Sequence, residues 1–553
     1  MKKLLLFSIG VLLLGCIQLL VSCQTEQTTH KKSSTVTIDS TYLQNILEEL
    51  GSDKYQGRMP GTAAEPLTIN YLKQQFQELG IQPGNGDSYF QEVPLVTITA
   101  SPEAELVIQG GKQAQTLAFK KDFVTSTQRV QPTISVQNSE LVFCGFGIVA
   151  PEYGWNDYEG IDMKGKTAVV FVNDPGYYSE DSTLFKGKTM TYYGRWTYKY
   201  EEAARQGADG VLIIHETGAA GYPWFVVQSS WTGGLQSLQT PDDGQSRCAM
   251  EGWITASAAS TLFANSSIDG KNMIGQAMSD DFQPTPMGLG YSHTMEVTTN
   301  KQLSNNVIGI LPGTEQKDEY IIYTAHWDHI GIGPVVNGDS IYNGALDNAS
   351  GTATFMSIAK AFAQSENPPK RSVVFLAVTA EEQGLLGSEW YAKNPIYPLD
   401  KTIANLNKDG ANVHGSMRDL TVTGFGHSEL DELAKEEAAK QDRYILPDQQ
   451  PEKGYFFRSD HFNFAKVGVP AFYAGGRYDH RQYGKAYALE KADGYTKANY
   501  HQPSDEYSDD WDLTGAVEDA QLYYNLGFRL ANEDLYPQWK EGSEFRNARK
   551  LKD

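Results

Sequence analysis

The side chains with the clearest chemistry in this 553-residue chain are imidazoles and carboxylates that follow strand-like segments. The predicted strands 320–325, 372–379 and 403–408 each run directly into such residues, and a further carboxylate precedes a predicted helix at 351–364. These residues are His326, Glu381, Glu382, Asp409 and Asp347. Because the carboxyl ends of parallel strands meet at one edge of a sheet, we expect these five side chains to lie close together.

A cluster of this kind predicts a bound cation. Buried carboxylates and imidazoles repel and desolvate one another unless a cation holds them. Nitrogen and oxygen donors without a thiolate fit zinc, and manganese and cobalt are less favoured alternatives. His501, in the segment 499–505, adds a second imidazole to the candidates.

The elements that position these residues alternate between strand and helix from residue 319 onward. After the first three strands, the pattern continues through helices and strands at 385–392, 420–423, 428–440, 469–474 and 514–531. This alternation predicts an α/β fold with a mainly parallel, mixed sheet flanked by helices.

The chain before this region predicts two further parts. Amphipathic helices at 40–51 and 63–80 are joined by a loop at 56–62, and short alternating runs from 90 to 142 predict strands. We assign residues 38–136 to the first part of the main domain.

A strand–helix–strand module then interrupts the main domain. It consists of buried strands at 166–172 and 210–214 with a helix at 198–206 between them. We therefore expect an inserted domain at residues 137–288, after which the main domain resumes over 289–553 and contains the metal site.

Several motifs resemble those of the two-zinc exopeptidases, the family of bacterial leucyl aminopeptidases, glutamate carboxypeptidases and the transferrin receptor. The motifs are His326-Trp327-Asp328, Leu346 to Gly351, Glu381-Glu382, Asn405 to Asp409, Ser459-Asp460-His461 and Tyr500 to Pro503. The resemblance covers nearly the whole mature chain. The segment Pro151 to Ile214 is also similar to the protease-associated domain that many members insert before the first metal ligand.

The resemblance implies a role for each residue of the cluster. It implies two zinc ions per chain that share Asp347, with His326 and Asp409 completing one site and Glu382 and His501 the other. It leaves Glu381 as the general base and places Asp328 on the other ring nitrogen of His326.

The segment Asn405 to Gly410 departs from the family pattern, because Gly410 follows Asp409 where members commonly have Met. Lys408 beside the ligand is also unusual, and we expect its side chain to point away from the metals. If Asn407 were the aligned residue instead, the ligand would be lost. We prefer Asp409 because it directly follows the strand.

The substrate pocket is less well defined by the sequence. We assign to it the motif Ser459-Asp460-His461 with the preceding Arg458, and Tyr500, which precedes His501. His329 is interpreted as a polar residue of the first turn after the strand.

The first 37 residues indicate export. Lys2 and Lys3 precede an apolar run at 4–20, and the sequence Leu20-Val21-Ser22-Cys23 resembles a bacterial lipobox. We expect a signal peptide at 1–22, a lipid on Cys23 and a tether at 23–37, which would anchor the protein to a membrane facing the periplasm or the cell exterior. An ordinary secretory signal is the alternative.

Composition excludes several other classes of function. With 46 Lys and Arg against 68 Asp and Glu, the formal net charge is −22, which disfavours a nucleic-acid partner. The sequence contains no Gly-rich phosphate loop and no nucleophilic serine elbow. Cys144 and Cys248 are too few for a disulfide scaffold, and their pairing stays open.

Together these features predict a zinc-dependent exopeptidase that hydrolyses the N-terminal peptide bond of short peptides. The carboxylate-rich site suits an α-ammonium group, whereas Arg458 or Arg477 could hold the terminal carboxylate of a carboxypeptidase substrate. A single-zinc glutaminyl cyclase and a metal-free binding protein are further alternatives. A deacetylase of the aminoacylase type is disfavoured, because its lid domain has no room between Glu382 and His501.

Overall fold

The computed structural model describes residues 36–179, 181–268, 270–279 and 281–548. The predicted signal peptide, Cys23 and the tether up to residue 35 lie outside the described residues. Among the residues that are described, no helix has the length and apolar character needed to cross a membrane.

The centre of the main sheet is parallel. The strand Gln316–His326 pairs in parallel with Arg371–Val378 on one side and with Thr402–Asn407 on the other. Ala471–Gly475 extends this row in parallel beside Thr402–Asn407. All eight residues of Arg371–Val378 are buried, as expected for a parallel strand covered on both faces.

The sheet becomes mixed toward its edges. The long strand Thr285–Leu311 pairs antiparallel with Arg371–Val378, and Asp419–Thr423 pairs antiparallel with Ala471–Gly475. The predicted α/β class with a mainly parallel, mixed sheet is therefore confirmed.

Helices cover both faces of this sheet. Gly351–Ala363 is the most deeply buried, with eleven of its 13 residues in the core, where it packs against Ser40–Leu50 and Thr514–Asn532. The remaining longer helices of this part are Ala64–Glu78, Leu386–Lys393, Leu430–Lys440, His461–Lys466 and Gly484–Ala498.

A second core lies around the predicted strand–helix–strand module. The strands Lys166–Phe171, Gly210–His215 and Met250–Thr255 are parallel, and the helix Trp196–Arg205 packs on them. We call this part the lobe. Its largest apolar cluster draws residues from Val96 to Val297, so it includes strands on both sides of residues 137 and 288. The domain limits stay a prediction.

Strands from the N-terminal region join the lobe through one long neighbour. Thr285–Leu311 pairs antiparallel with Phe90–Pro102 along its second half and with Thr133–Phe143 along its first half. Because the same strand continues into the main sheet, it connects the two cores. Cys144 and Cys248 are both buried and free.

Candidate metal centre

One edge of the main sheet gathers the imidazole and carboxylate side chains. His326 ends the central strand, Asp409 lies two residues after Asn407, and Glu381 lies three residues after Val378. His326 Nε2 is 3.4 Å from Asp409 Oδ1 and 4.0 Å from Glu381 Oε2. Parallel strands thus deliver these groups to a common edge.

Asp347 lies between two sets of donors. It belongs to the turn Ala345–Ser350, which leads directly into the helix Gly351–Ala363. Its Oδ1 is 3.4 Å from His326 Nε2, and its Oδ2 is 3.4 Å from His501 Nε2. His501 Nε2 is in turn 3.1 Å from Glu382 Oε2. The two carboxylate oxygens of Asp347 therefore face different partners.

The donor atoms are close enough together to hold metal ions. His326, Glu381 and Asp409 form one compact group, and His326, Asp347 and Glu382 form another, each with ligand atoms within 4.8 Å of one another. Among the described residues, no hydrogen bond satisfies the buried Nε2 of His501, although two carboxylates face it. Nitrogen and oxygen donors in this arrangement fit zinc.

Burial and neighbouring negative charges shift the pKa values of the acidic side chains at this edge. Burial raises the pKa of Glu381 well above its usual range, and the charges of Asp409 and Glu382 add to the effect. Burial also raises the pKa of Asp328 to about 7. Burial opposes ionisation of Asp347 as well, but the imidazoles of His326 and His501 hold its pKa well below the usual value. Competing carboxylates of this kind are stabilised by a bound cation.

The carboxylate of Asp328 accepts backbone N–H groups. Its Oδ1 accepts the backbone N–H of Glu381 at 3.1 Å, and its Oδ2 accepts that of Glu382 at 3.4 Å. Its Oδ1 lies 3.8 Å from His326 Nδ1, the atom that the sequence resemblance implies it holds, whereas the backbone carbonyl oxygen of Asp328 lies 3.3 Å from that nitrogen. In this structure Asp328 thus orients the turn that carries both glutamates.

The unusual segment around Asp409 is fixed by the amide of Asn348. Asn348 Nδ2 donates to the carbonyls of His326 and Lys408, and its Oδ1 accepts the N–H of Gly410. Lys408 Nζ lies 3.3 Å from the carbonyl of Ala474.

The side chain of Asn407, the alternative ligand, bonds elsewhere. It accepts from the Thr324 hydroxyl and donates to Ser459 Oγ.

Two residues of this site were missed by the sequence interpretation. His329 is fully buried, with Nδ1 2.6 Å from Glu382 Oε1. Asp505 accepts the backbone N–H groups of Leu346 and Asp347 and the hydroxyl of Tyr495. Both lie within a few residues of a candidate ligand, which was the available signal, but residue type alone does not reveal a supporting contact.

The predicted pocket residues fall into two groups. Ser459, Asp460 and His461 are buried, and Asp460 accepts a hydrogen bond from Ser388 Oγ at 2.6 Å. Tyr500 is 47% exposed, and its ring stacks on that of His501 with 3.9 Å between centroids. Tyr500 is therefore the pocket candidate most open to a substrate.

Arg458 lies where the lobe meets the main domain. Its Nη2 donates to the carbonyl of Lys453, and its guanidinium lies 5.3 Å from the Tyr455 ring centroid. Burial, with a smaller contribution from the neighbouring Arg458 cation, lowers the pKa of the lobe residue Arg195 to about 10. Within the described part of the chain, neither Arg195 Nε nor Arg458 Nε has a hydrogen-bond partner.

Comparisons with known proteins bear on this region. Residues 306–525 match the model of Peptidase family M28. A probable glutamate carboxypeptidase from Arthroderma benhamiae is 32% identical over 247 residues, which are 42% of this chain and 31% of that protein. Aminopeptidase NAALADL1 from Mus musculus is 33% identical over 136 residues, or 23% of this chain and 17% of that protein. This chain therefore spans less than a third of the length of either relative.

Solved structures include similar chains of aminopeptidases. The aminopeptidase from Aneurinibacillus sp. strain AM-1 is matched with a TM-score of 0.49 and 18% identity over 91% of this chain and 96% of that one. A zinc aminopeptidase from Bacillus subtilis is matched with a TM-score of 0.41 and 18% identity over 92% of this chain and 100% of that one.

Proposed function

We propose that this protein, whose residues 306–525 match the model of Peptidase family M28, is a zinc-dependent exopeptidase that removes N-terminal residues from short peptides. The observation that carries the proposal is the position of Asp347, whose two carboxylate oxygens face two different sets of donors. One carboxylate that serves two ion sites is the arrangement a two-metal peptidase needs.

The ligand assignment is the one that the sequence resemblance implies, and the distances between the donor atoms are compatible with it. His326 and Asp409 would hold one zinc, Glu382 and His501 would hold the other, and Asp347 would contact both. When bound, zinc supplies Lewis acidity, which polarises a carbonyl oxygen and lowers the pKa of water.

Glu381 is the group that moves the proton. Its side chain is 10% exposed, and burial with the charges of Asp409 and Glu382 holds its pKa well above the usual value, so this carboxylate binds a proton more readily than an exposed glutamate does. We propose that Glu381 takes the proton of the attacking water and passes it to the leaving amine. Asp328 keeps Glu381 in place through its backbone N–H.

The choice of peptide end rests on charge. A site with this many carboxylates, in a chain of net charge −22, attracts the α-ammonium group of a free N-terminus. A carboxypeptidase of the glutamate carboxypeptidase type is the second candidate. The observation that favours it is the pair Arg195 and Arg458, whose unpartnered Nε atoms could bind a carboxylate.

One substrate series separates the two candidates. A tripeptide is supplied free, N-acetylated and C-amidated to the zinc-loaded protein, and the released residue is identified by mass spectrometry. An aminopeptidase releases the first residue and loses activity on the acetylated form. Release of the last residue, with activity lost on the amidated form, would establish the carboxypeptidase.

Zinc content separates the remaining candidates. The two-zinc enzyme requires about two zinc ions per chain. One zinc ion would favour the glutaminyl cyclase, and none would favour the metal-free binding protein.

We further propose that the lobe restricts the substrate to short peptides. The contact of Arg458 with the lobe supports this, because a Cβ atom on Gly221 would lie 3.6 Å from Arg458 Nη2. The test compares cleavage of a dipeptide with trimming of a folded protein that has a free N-terminus. Equal rates would refute the gating role.

We also propose that the mature protein is an exported lipoprotein anchored through Cys23. The support is the sequence of the first 23 residues alone. Bacteria that express the chain are grown with a labelled fatty acid, with Cys23→Ala as the control. Label that depends on Cys23 supports the anchor, and an exported but unlabelled protein would indicate an ordinary secretory signal.

A further inference from the structure

Arg58 is a buried cation in the loop between the helices Ser40–Leu50 and Ala64–Glu78, and it is 1% exposed. Its Nε donates to the carbonyl of Trp327 at 2.8 Å, and its Nη2 donates to that of Gly344 at 2.8 Å. Its Nη1 donates to the carbonyls of Leu50 and Asn343, both at 2.6 Å. All four acceptors that the described residues provide are backbone carbonyls.

Three of these carbonyls, those of Trp327, Asn343 and Gly344, belong to the two loops that carry the central ligands. Trp327 directly follows His326, and Gly344 lies three residues before Asp347. One rigid, planar guanidinium therefore joins the segments that bring His326 Nε2 within 3.4 Å of Asp347 Oδ1. The contact is reciprocal, because the N–H of His329 donates to the Arg58 carbonyl at 3.4 Å.

The backbone around Arg58 has an unfavourable conformation. Gln56, Gly57 and Arg58 have φ values of 47°, 68° and 50°. A Cβ atom on Gly57 would lie 2.4 Å from the Tyr342 carbonyl oxygen, so the close approach requires glycine. Residues other than glycine, here Gln56 and Arg58, keep a left-handed conformation only where surrounding contacts hold them in it. The four hydrogen bonds of the Arg58 side chain provide such contacts.

Arg58 also supplies positive charge behind a row of acids. Burial lowers the pKa of Arg58 to about 10, while the charges of Asp328, Asp505, Asp347 and Glu382 favour its charged form. The side chain therefore stays cationic at neutral pH. It offsets part of the negative charge of the site without bonding to a carboxylate oxygen.

We propose that Arg58 is a positioning residue that fixes the spacing of the His326 and Asp347 loops and thereby sets the zinc affinity of the site. The inference rests on the proposed function in taking zinc as the ion. Lysine cannot replace this role, because one ammonium group cannot reach four carbonyls in the geometry of a planar fork.

Arg371 provides a matched control. It is a buried arginine at the start of the strand Arg371–Val378, and its Nη1 donates to the carbonyls of Leu530 and Glu533 at 2.6 Å each. Unlike Arg58, it also donates to a carboxylate, through Nε to Glu319 Oε2 at 2.6 Å. It starts the strand whose other end is Val378, so it lies about 23 Å from the metal edge. Replacing it perturbs a buried cation but leaves the ligand loops alone.

The experiment measures zinc affinity rather than activity alone. Arg58→Lys, Arg58→Gln and Arg371→Lys are titrated with zinc against a competing chelator, each below its own melting temperature Tm. The cobalt-loaded forms are compared by visible absorption, which reports ligand geometry. We expect both Arg58 variants to bind zinc about 10–100-fold more weakly, as for other residues that orient ligands, with an altered cobalt spectrum. With saturating zinc, the fold-decrease in kcat should be larger than the fold-change in KM.

The control decides between positioning and simple stabilisation. Arg371→Lys should lower Tm of the zinc-free protein without weakening zinc binding. If both Arg58 variants bind zinc as tightly as the original protein and give its cobalt spectrum, the inference is wrong, whatever their Tm. If they bind zinc weakly but the original protein cleaves no peptide, the proposed function fails and the role of Arg58 stands.

Discussion

The two sides of Asp347 are built differently. On one side, His326 is 1% exposed and ends a central strand, and its partner Asp409 follows the neighbouring strand. On the other side, the His501 side chain is 34% exposed and its residue has a φ of 56° in a loop. That loop follows Gly484–Ala498, a helix in which, among its described residues, Ala488 alone is buried.

The difference indicates how firmly each side is held. Groups at the ends of paired, buried strands are fixed by the sheet, whereas a loop behind a poorly packed helix opens at lower free-energy cost. We therefore expect the His326 side to bind zinc more tightly than the His501 side. Substitutions of the ligands and of the residues that support them either abolish this contrast or measure it.

The largest effect is expected from Asp347→Ala, which removes the ligand common to both sides. We expect zinc content near zero and turnover reduced by more than about 10⁴-fold, beyond the 10²–10⁴-fold range of a lost general base. Metal analysis after dialysis and steady-state kinetics measure both. Glu105→Ala, which alters an exposed carboxylate on the strand Glu105–Gly110, is the control. Two retained zinc ions in Asp347→Ala would contradict a shared ligand.

The adjacent glutamates should separate chemistry from binding. Glu381→Gln should keep both zinc ions and lose about 10²–10⁴-fold in kcat, because an amide cannot accept the proton. Glu382→Gln should instead release one zinc ion, since its oxygen lies 3.1 Å from His501 Nε2. If Glu381→Gln loses zinc while Glu382→Gln keeps it, the two roles are reversed.

The imidazole variants measure the contrast directly. His501→Ala should retain about one zinc ion per chain and a folded protein, because the strand-end ligands stay in place. His326→Ala should lose the tighter zinc ion. The increase in Tm on adding zinc should therefore be smaller for His326→Ala than for His501→Ala. Chelator titration of both variants gives the affinities, and equal losses would show that the two sides are equally firm.

The smallest effect is expected from His329→Gln. His329 supports Glu382 through a 2.6 Å contact, so its loss should weaken zinc on the His501 side by about 10-fold and leave the other side unchanged. The same titration resolves the two affinities. If the tighter site were weakened instead, His329 would not act through Glu382 on the His501 side.

The sequence predicts the strand-end part of this arrangement well, for a physical reason. Buried apolar runs identify the strands before His326, Glu381 and Asp409, and parallel strands must bring their ends to one edge. Asp347 could be assigned because a helix begins directly after its turn.

The supporting contacts could not be predicted. Three of the four carbonyls that accept from Arg58 lie 269, 285 and 286 positions away, and backbone acceptors leave no trace in the residue types. Asp328 illustrates the same limit, since its carboxylate accepts backbone N–H groups instead of lying at hydrogen-bond distance from His326 Nδ1. The sequence assigns the strands from 90 to 136 to the main domain, but the core that they share with the lobe depends on the 27-residue strand Thr285–Leu311.

The most direct test of the account is the zinc anomalous signal in a crystal of the zinc-loaded protein. The account predicts two peaks about 3.5–4 Å apart, with one oxygen of Asp347 bound to each. When the zinc concentration during crystallisation is lowered, the peak beside His501 should weaken before the peak beside His326. A single peak, or two peaks of which only one contacts Asp347, would contradict the central claim that this carboxylate joins two unequal metal sites.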